Sequence, residues 1–192
     1  MSCRISSFVI AALTLLSACS SNPPERFYTL SETAPDAHSA PPPGTGSVRV
    51  DRVTIPGELN RPQLVRQLDA NRLQIAEFDR WAAPLDEMIR RVLSADVARR
   101  LPAGPVASAD AGRPHSLSVD IREFYGDANC NVTLRAAWTP KQPHPETAQA
   151  NTEEVHVSST GACPDSLPAT MSVALGQLSD RIVAGVARSQ TP

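Results

Sequence analysis

Thiols are the most reactive groups in this chain, and their positions divide them by fate. Cys3 falls inside an N-terminal apolar stretch, Cys19 closes the run Leu16-Ser17-Ala18-Cys19, and Cys130 and Cys163 stand in the body of the chain. Arg4 precedes the apolar residues 8–16, a run well short of the about 20 residues that a membrane-crossing helix needs. A basic residue, a short apolar run and small residues, in that order, mark a removable signal peptide over residues 1–18. Ser17 and Ala18 suit a narrow peptidase groove, and Cys19 offers the thiol that accepts diacylglycerol before cleavage. The alternative is a plain secretory leader cut after Ala18 that leaves a free thiol. Several acyl chains on one cysteine hold far better than one, since each buried CH2 adds about 0.8 kcal/mol. Ser20 stands where an Asp would retain a lipoprotein in the inner membrane, so the expected location is the periplasmic face of the outer membrane.

Export leaves Cys130 and Cys163 in an oxidising compartment, where two cysteines in one domain point to one disulfide. Two separate thiols are the competing reading. Neither has a cysteine or histidine at ligand spacing, so no metal and no cofactor is expected. His38, His115, His144 and His156 fall in expected loops or at strand margins, outside any recognised motif. The chain has no G-x-S-x-G, H-E-x-x-H, P-loop or G-x-G-x-x-G, and hence nothing that proposes an enzyme. A site of scattered Ser and Asp residues, as in a hydrolase, would leave no such trace. Asp96 continues an apolar helical stripe, with Arg99 and Arg100 three and four residues on. A salt-bridged last turn overhanging the sheet explains it better than catalysis.

With 192 residues and a hydrophobic fraction of 41%, the chain suits one domain with a leader and a connector. A net charge of −2 and 4% aromatic residues supply neither the basic surface nor the stacking platform of a nucleic-acid binder. Residues 19–47 read as the lipidated end, a first strand at Phe27-Tyr28-Thr29-Leu30 and a Pro-rich connector, although a continuous stalk is the alternative. The domain proper is expected over residues 48–189.

Its first strand, residues 48–55, changes apolar phase and asks for a bulge near Asp51-Arg52. Leu64/Arg66/Leu68 and Leu73/Ile75 flank Asp69-Ala70-Asn71 as a hairpin. A helix follows Pro84, with Asp86 and Glu87 in its first turn, Arg99 and Arg100 in its last, and a buried stripe of Leu85, Met88, Ile89, Val92 and Leu93. A short edge strand at 106–108, alternating strands through Leu117/Val119/Ile121 and Cys130 to Trp138, and a weaker strand around Val155 come next. Met171, Leu175, Leu178, Ile182 and Val186 mark a second helix, which Ser166 caps and Pro168 opens; Gly176 and Gly185 allow close packing. The expected fold is α+β, a mostly antiparallel sheet with two principal helices packed on one face.

Residues 55–101 resemble the PqiC-like family, auxiliary lipoproteins of ABC-type transport systems that work with MCE-domain proteins. The resemblance rests on Ile55-Pro56, Leu59-Asn60-Arg61-Pro62-Gln63-Leu64-Val65, Asn71 with Leu73, and Phe78-Asp79-Arg80-Trp81-Ala82-Ala83-Pro84-Leu85, with Tyr28-Thr29-Leu30 beside them. Asn60 and Ala83 depart from the Asp and Glu expected there. The resemblance implies a tethered periplasmic domain that contributes to movement of lipid or hydrophobic solute between the membranes, an MCE-domain partner, and room for ring-like self-association. Arg61, Arg80 and Trp81 are the candidate partner contacts. Each also has a folding explanation: Trp81 as a core anchor, the arginines as partners of a local carboxylate. A stand-alone structural or assembly lipoprotein acting on the cell wall or an outer-membrane channel is the competing function.

Overall fold

The computed structural model describes residues 23–33, 48–101, 115–141 and 150–189. The signal peptide, Cys19, most of the Pro-rich connector, the expected edge strand at 106–108, His38 and His144 lie outside them.

The longest strand, β5 (His115–Gly126), organises the sheet. Leu117, Val119 and Ile121 alternate with exposed Ser118, Asp120 and Arg122, so this half has one dry and one wet face. A register shift between Ile121 and Glu123 then brings Phe124 to the interior. β5 turns into β6 (Val132–Pro140) through Asp127, whose Oδ1 accepts the amides of Asn129 and Asn131 at 2.8 and 2.9 Å. β7 (Asn151–Val157) adds to β6 in antiparallel register, with buried Leu134 opposite buried Val155.

On the other side of β5 lie two strands in line. β2 (Val48–Thr54) runs beside its first half, and β3 (Gln63–Asp69) meets its end, where Arg66 pairs with Gly126. β3 forms the expected hairpin with β4 (Arg72–Trp81), and β1 (Arg26–Tyr28) pairs with the far end of β4. The seven described strands thus run β1-β4-β3-β5-β6-β7, with β2 also on β5. The expected bulge in β2 lies between Val50 and Arg52 and brings Val48, Val50 and Val53 to one buried face.

The sheet is mixed, not mostly antiparallel. β1 on β4, β2 on β5 and β3 on β5 are parallel; only β3–β4, β5–β6 and β6–β7 are antiparallel. Short turns force antiparallel pairing only within hairpins. β2 and β3 run the same way along one edge of β5, joined by a single 3-10 turn, and the chain crosses over a hairpin and a helix before β5 begins.

That helix, α1 (Leu85–Arg100), starts at Pro84 and buries the expected stripe together with Asp96 and Val97. α2 (Leu167–Ser189) crosses β5, β6 and β7, while α1 packs on β2 and on α2. Ser166 precedes α2 and its carbonyl accepts the Thr170 amide at 3.0 Å, but its hydroxyl donates to Gly161 O at 3.2 Å rather than capping the helix. Gly185 lies so close to Trp138 on β6 that a Cβ would fall 2.4 Å from the ring. The Cys130–Cys163 disulfide ties the β5–β6 turn to the start of α2, with 5.5 Å between the Cα atoms.

Candidate functional site

The stretch from Ile55 to Pro62 bridges β2 and β3. Gly57–Leu59 form the 3-10 turn, closed by Leu59 N to Pro56 O at 3.0 Å and Asn60 N to Gly57 O at 3.1 Å. Leu59 is buried, while Glu58 accepts the Tyr125 hydroxyl at 2.6 Å. This bond holds the Glu58 carboxyl below its ordinary range, and burial pushes the Tyr125 phenol well above its own. The Trp81 amide closes the far side by donating to Pro62 O at 2.6 Å, and the Ala82 amide donates to Tyr28 O at 2.8 Å. The residues that carry the resemblance are therefore those that join β1, β3 and β4 into one sheet.

Of the three candidate contacts, Trp81 has only 6% of its surface exposed and sits in the core cluster. Arg80 is half-buried and pairs through Nη2 with Glu25 at 2.8 Å. Arg61 is also half-buried. Among the described residues the Nε atoms of Arg61 and Arg80 are buried without a hydrogen-bond partner. The register sets Arg80 beside Gln63 on β3 and beside Phe27 on β1, which places it two residues from Arg61 along the chain of β3.

Two polar clusters tie the N-terminal segment down. In the first, Arg26 donates through Nε to Asp79 and through Nη1 to Asp165, each at 2.7 Å, and Tyr28 donates to Asp165 at 2.9 Å. Burial and the Asp165 bond push the Tyr28 phenol up to about 12. In the second, Asp96 accepts the Thr33 amide at 2.9 Å and the Thr33 hydroxyl at 3.2 Å, with Arg100 Nη1 3.6 Å away. Arg100 also donates to Asp180 on α2 at 2.6 Å. Asp96 is wholly buried, so it does not overhang the sheet as expected, and burial raises its carboxyl against the opposing Thr33 bonds. Arg99 pairs with Glu32 instead. The segment 29–33 is thus a strap across α1 and α2, and Ser31 N to Ser172 Oγ at 3.0 Å completes it. The sequence marks the strap at two points, Leu30 at the end of the expected first strand and Asp96, a carboxylate on an apolar stripe.

The remaining candidates are dispersed. His156 is exposed and contacts Thr133 at 3.2 Å and Glu154 at 2.9 Å. Among the described residues no group of three His, Cys, Asp or Glu side chains could hold a metal ion, and no helix is long and apolar enough to cross a membrane. Leu68, Leu73 and Ile75, placed by the hairpin alternation, prove to be 40 to 48% exposed. They lie at the tip of the β3–β4 hairpin, beyond the strands that the helices cover.

Residues 28–183 match the family described as "ABC-type transport auxiliary lipoprotein component", from the last residue of β1 to the last third of α2. The chain belongs to this family. Its curated relatives include the intermembrane transport lipoprotein PqiC of Escherichia coli (strain K12) and that of Shigella flexneri. Each is 31% identical over 130 residues, which is 67% of this chain and 70% of the relative. Two crystal structures share the fold. An uncharacterized protein superposes with a TM-score of 0.61 at 20% identity, over 88% of this chain and 100% of its own. A Xanthomonas campestris protein superposes at 0.65 and 17% identity, over 86% and 100%. The resemblance to the PqiC-like family is thereby established for the chain, and the family is described as a transport auxiliary component rather than as an enzyme class.

Proposed function

We propose that this auxiliary lipoprotein is held on the periplasmic face of the outer membrane through acylated Cys19. There it serves an MCE-domain protein of an ABC-type system that moves lipid or another hydrophobic solute between the membranes. One observation supports this reading most: the family match begins in β1, a strand that opens only seven residues after Cys19 and is built into the sheet. The anchor and the folded domain are then parts of one device, as expected of a subunit that works at a fixed height above a membrane. Arg61 and Arg80 are the proposed partner contacts, because each, unlike Trp81, keeps part of its side chain exposed.

In-cell crosslinking from photoreactive side chains at positions 61 and 80 of the full chain tests it. Recovery of an MCE-domain protein, together with a weakened envelope barrier on deletion, is the expected result. Crosslinks only to cell-wall or channel proteins, with an intact barrier, would favour a stand-alone structural lipoprotein and sink the transport reading. The symmetry of such assemblies also makes a closed ring of copies part of the proposal, to be read from the mass of the native detergent-extracted protein.

A further inference from the structure

Pro23 stands four positions after Cys19, and Phe27 eight. A trans chain advances at most about 3.6 Å per residue, so Cys19 is within roughly 15 Å of Pro23 and roughly 30 Å of Phe27. A folded domain of this length has a diameter of about 40 Å by the usual radius-of-gyration scaling. The leash is therefore shorter than the domain, and the end of the molecule that carries β1 must be the end nearest the acyl chains.

That end has a defined surface. Among the described strands β1 pairs with β4 alone and ends the sheet. Arg26 and Tyr28 are both drawn to Asp79 and Asp165, and strand alternation turns Phe27 to the other face. Phe27 is 64% exposed, against 48% for Ile75, the next most exposed of the large apolar side chains described. The charges around it are matched: Arg26 with Asp79 and Asp165, Arg80 with Glu25. An exposed aromatic ring among paired charges suits the headgroup zone of a bilayer, where amphipathic and aromatic groups collect.

We propose that the β1 edge, with Phe27 at its centre, is the surface by which the domain lies against the phospholipid layer that holds Cys19. The proposal rests on the lipoprotein reading of Cys19. Phe27 seats among the headgroups, and its contact adds orientation to the attachment that the acyl chains supply. Leu73 lies seven residues back along β4 from Arg80, on the order of 25 Å away at strand rise, and stays in water.

The test uses the full acylated protein in vesicles of phosphatidylethanolamine and phosphatidylglycerol. Trp81 and Trp138 are buried, so Phe27→Trp and, separately, Leu73→Trp each add one surface fluorophore. The expected result is a blue-shifted emission for Phe27→Trp, quenched several-fold more strongly by brominated phospholipid than that of Leu73→Trp. In the unsubstituted protein, amide exchange over residues 25–29 should slow on vesicles relative to detergent micelles. Equal quenching at both positions, or a water-like Phe27→Trp emission on acylated protein, overturns the proposal alone. A mass lacking acyl chains overturns it together with the lipoprotein reading. Shielding of Phe27→Trp that appears in Cys19→Ala protein without lipid and grows with concentration assigns the edge to a second copy and also overturns it.

Discussion

Glu58 and Tyr125 show how a single contact joins the bridge between β2 and β3 to the strand it crosses. The carboxylate is exposed while the phenol is largely buried, so their 2.6 Å bond ties a surface group to a packed one. Because the bond depresses the Glu58 pKa, its contribution is present above the ordinary carboxylate range and is lost as pH falls through the depressed value. Tyr125→Phe should therefore destabilise by about 1 kcal/mol at neutral pH, the ordinary net worth of a hydrogen bond, because water also reaches the carboxylate. The gap between variant and parent should close in acid. Urea unfolding of both proteins at pH 7 and pH 3 measures it, and a gap that persists in acid would assign the effect to packing. Asp96 and Arg100 belong to the other extreme. Arg100→Met would leave Asp96, wholly buried, and Asp180 without their cation, a loss of about 3–5 kcal/mol when one partner of a buried pair is removed. A urea midpoint near the parent's would show that Thr33 alone satisfies the carboxylate.

At the scale of elements, α2 depends on close approaches that only glycine allows. Alanine at Gly185 would improve helix propensity by about 1 kcal/mol, yet its Cβ would lie 2.4 Å from Trp138 Cζ2, on a large ring fully packed in the core. Gly185→Ala should be net destabilising by up to about 2 kcal/mol, the overpacking cost less the propensity gain, read as a lowered urea midpoint with unchanged slope. The disulfide closes a segment of 33 residues between the β5–β6 turn and α2. Replacing Cys130 and Cys163 together by Ser should cost about 3–4 kcal/mol on the chain-entropy account, and reductant should lower the midpoint of the parent only. The two helices, the hairpins and this bridge were legible beforehand because each leaves a local mark: a 3.6-residue stripe, a polar break, two cysteines in the body of the chain. Strand direction leaves none. Val48, Val50 and Val53 alternate about one bulge whether their partner runs parallel or antiparallel, so the mixed sheet became visible only in the pairing. Leu68, Leu73 and Ile75 read as strand residues, but alternation cannot say whether anything covers them.

The whole molecule is held together by its least regular segment. Residues 23–33 contribute a short edge strand and a strap, yet they contact β4, α1 and α2 and carry the chain toward Cys19. Their role was half legible. Phe27-Tyr28-Thr29-Leu30 looked too apolar for a stalk, but the partners of Arg26, Tyr28 and Thr33 lie some 50 to 140 residues away, beyond the reach of any local pattern. Membrane attachment and stability should therefore separate cleanly. Cys19 lies outside the described fold, so Cys19→Ala protein should unfold at the parent's urea midpoint and, on the lipid-anchor reading, leave the outer-membrane fraction; normal fractionation would sink that reading. Removing residues 23–33 while keeping the leader and residues 19–22 should do the reverse. The product should stay with the membrane but lose about 3–6 kcal/mol, from uncovering Leu30 and depriving Asp96 of its Thr33 donors. That is a large share of the 5–15 kcal/mol typical of a whole domain, so protease resistance should fall with it. A shortened protein that stayed protease-resistant would mean that the strap is only a tether, and that the helices hold the sheet without it.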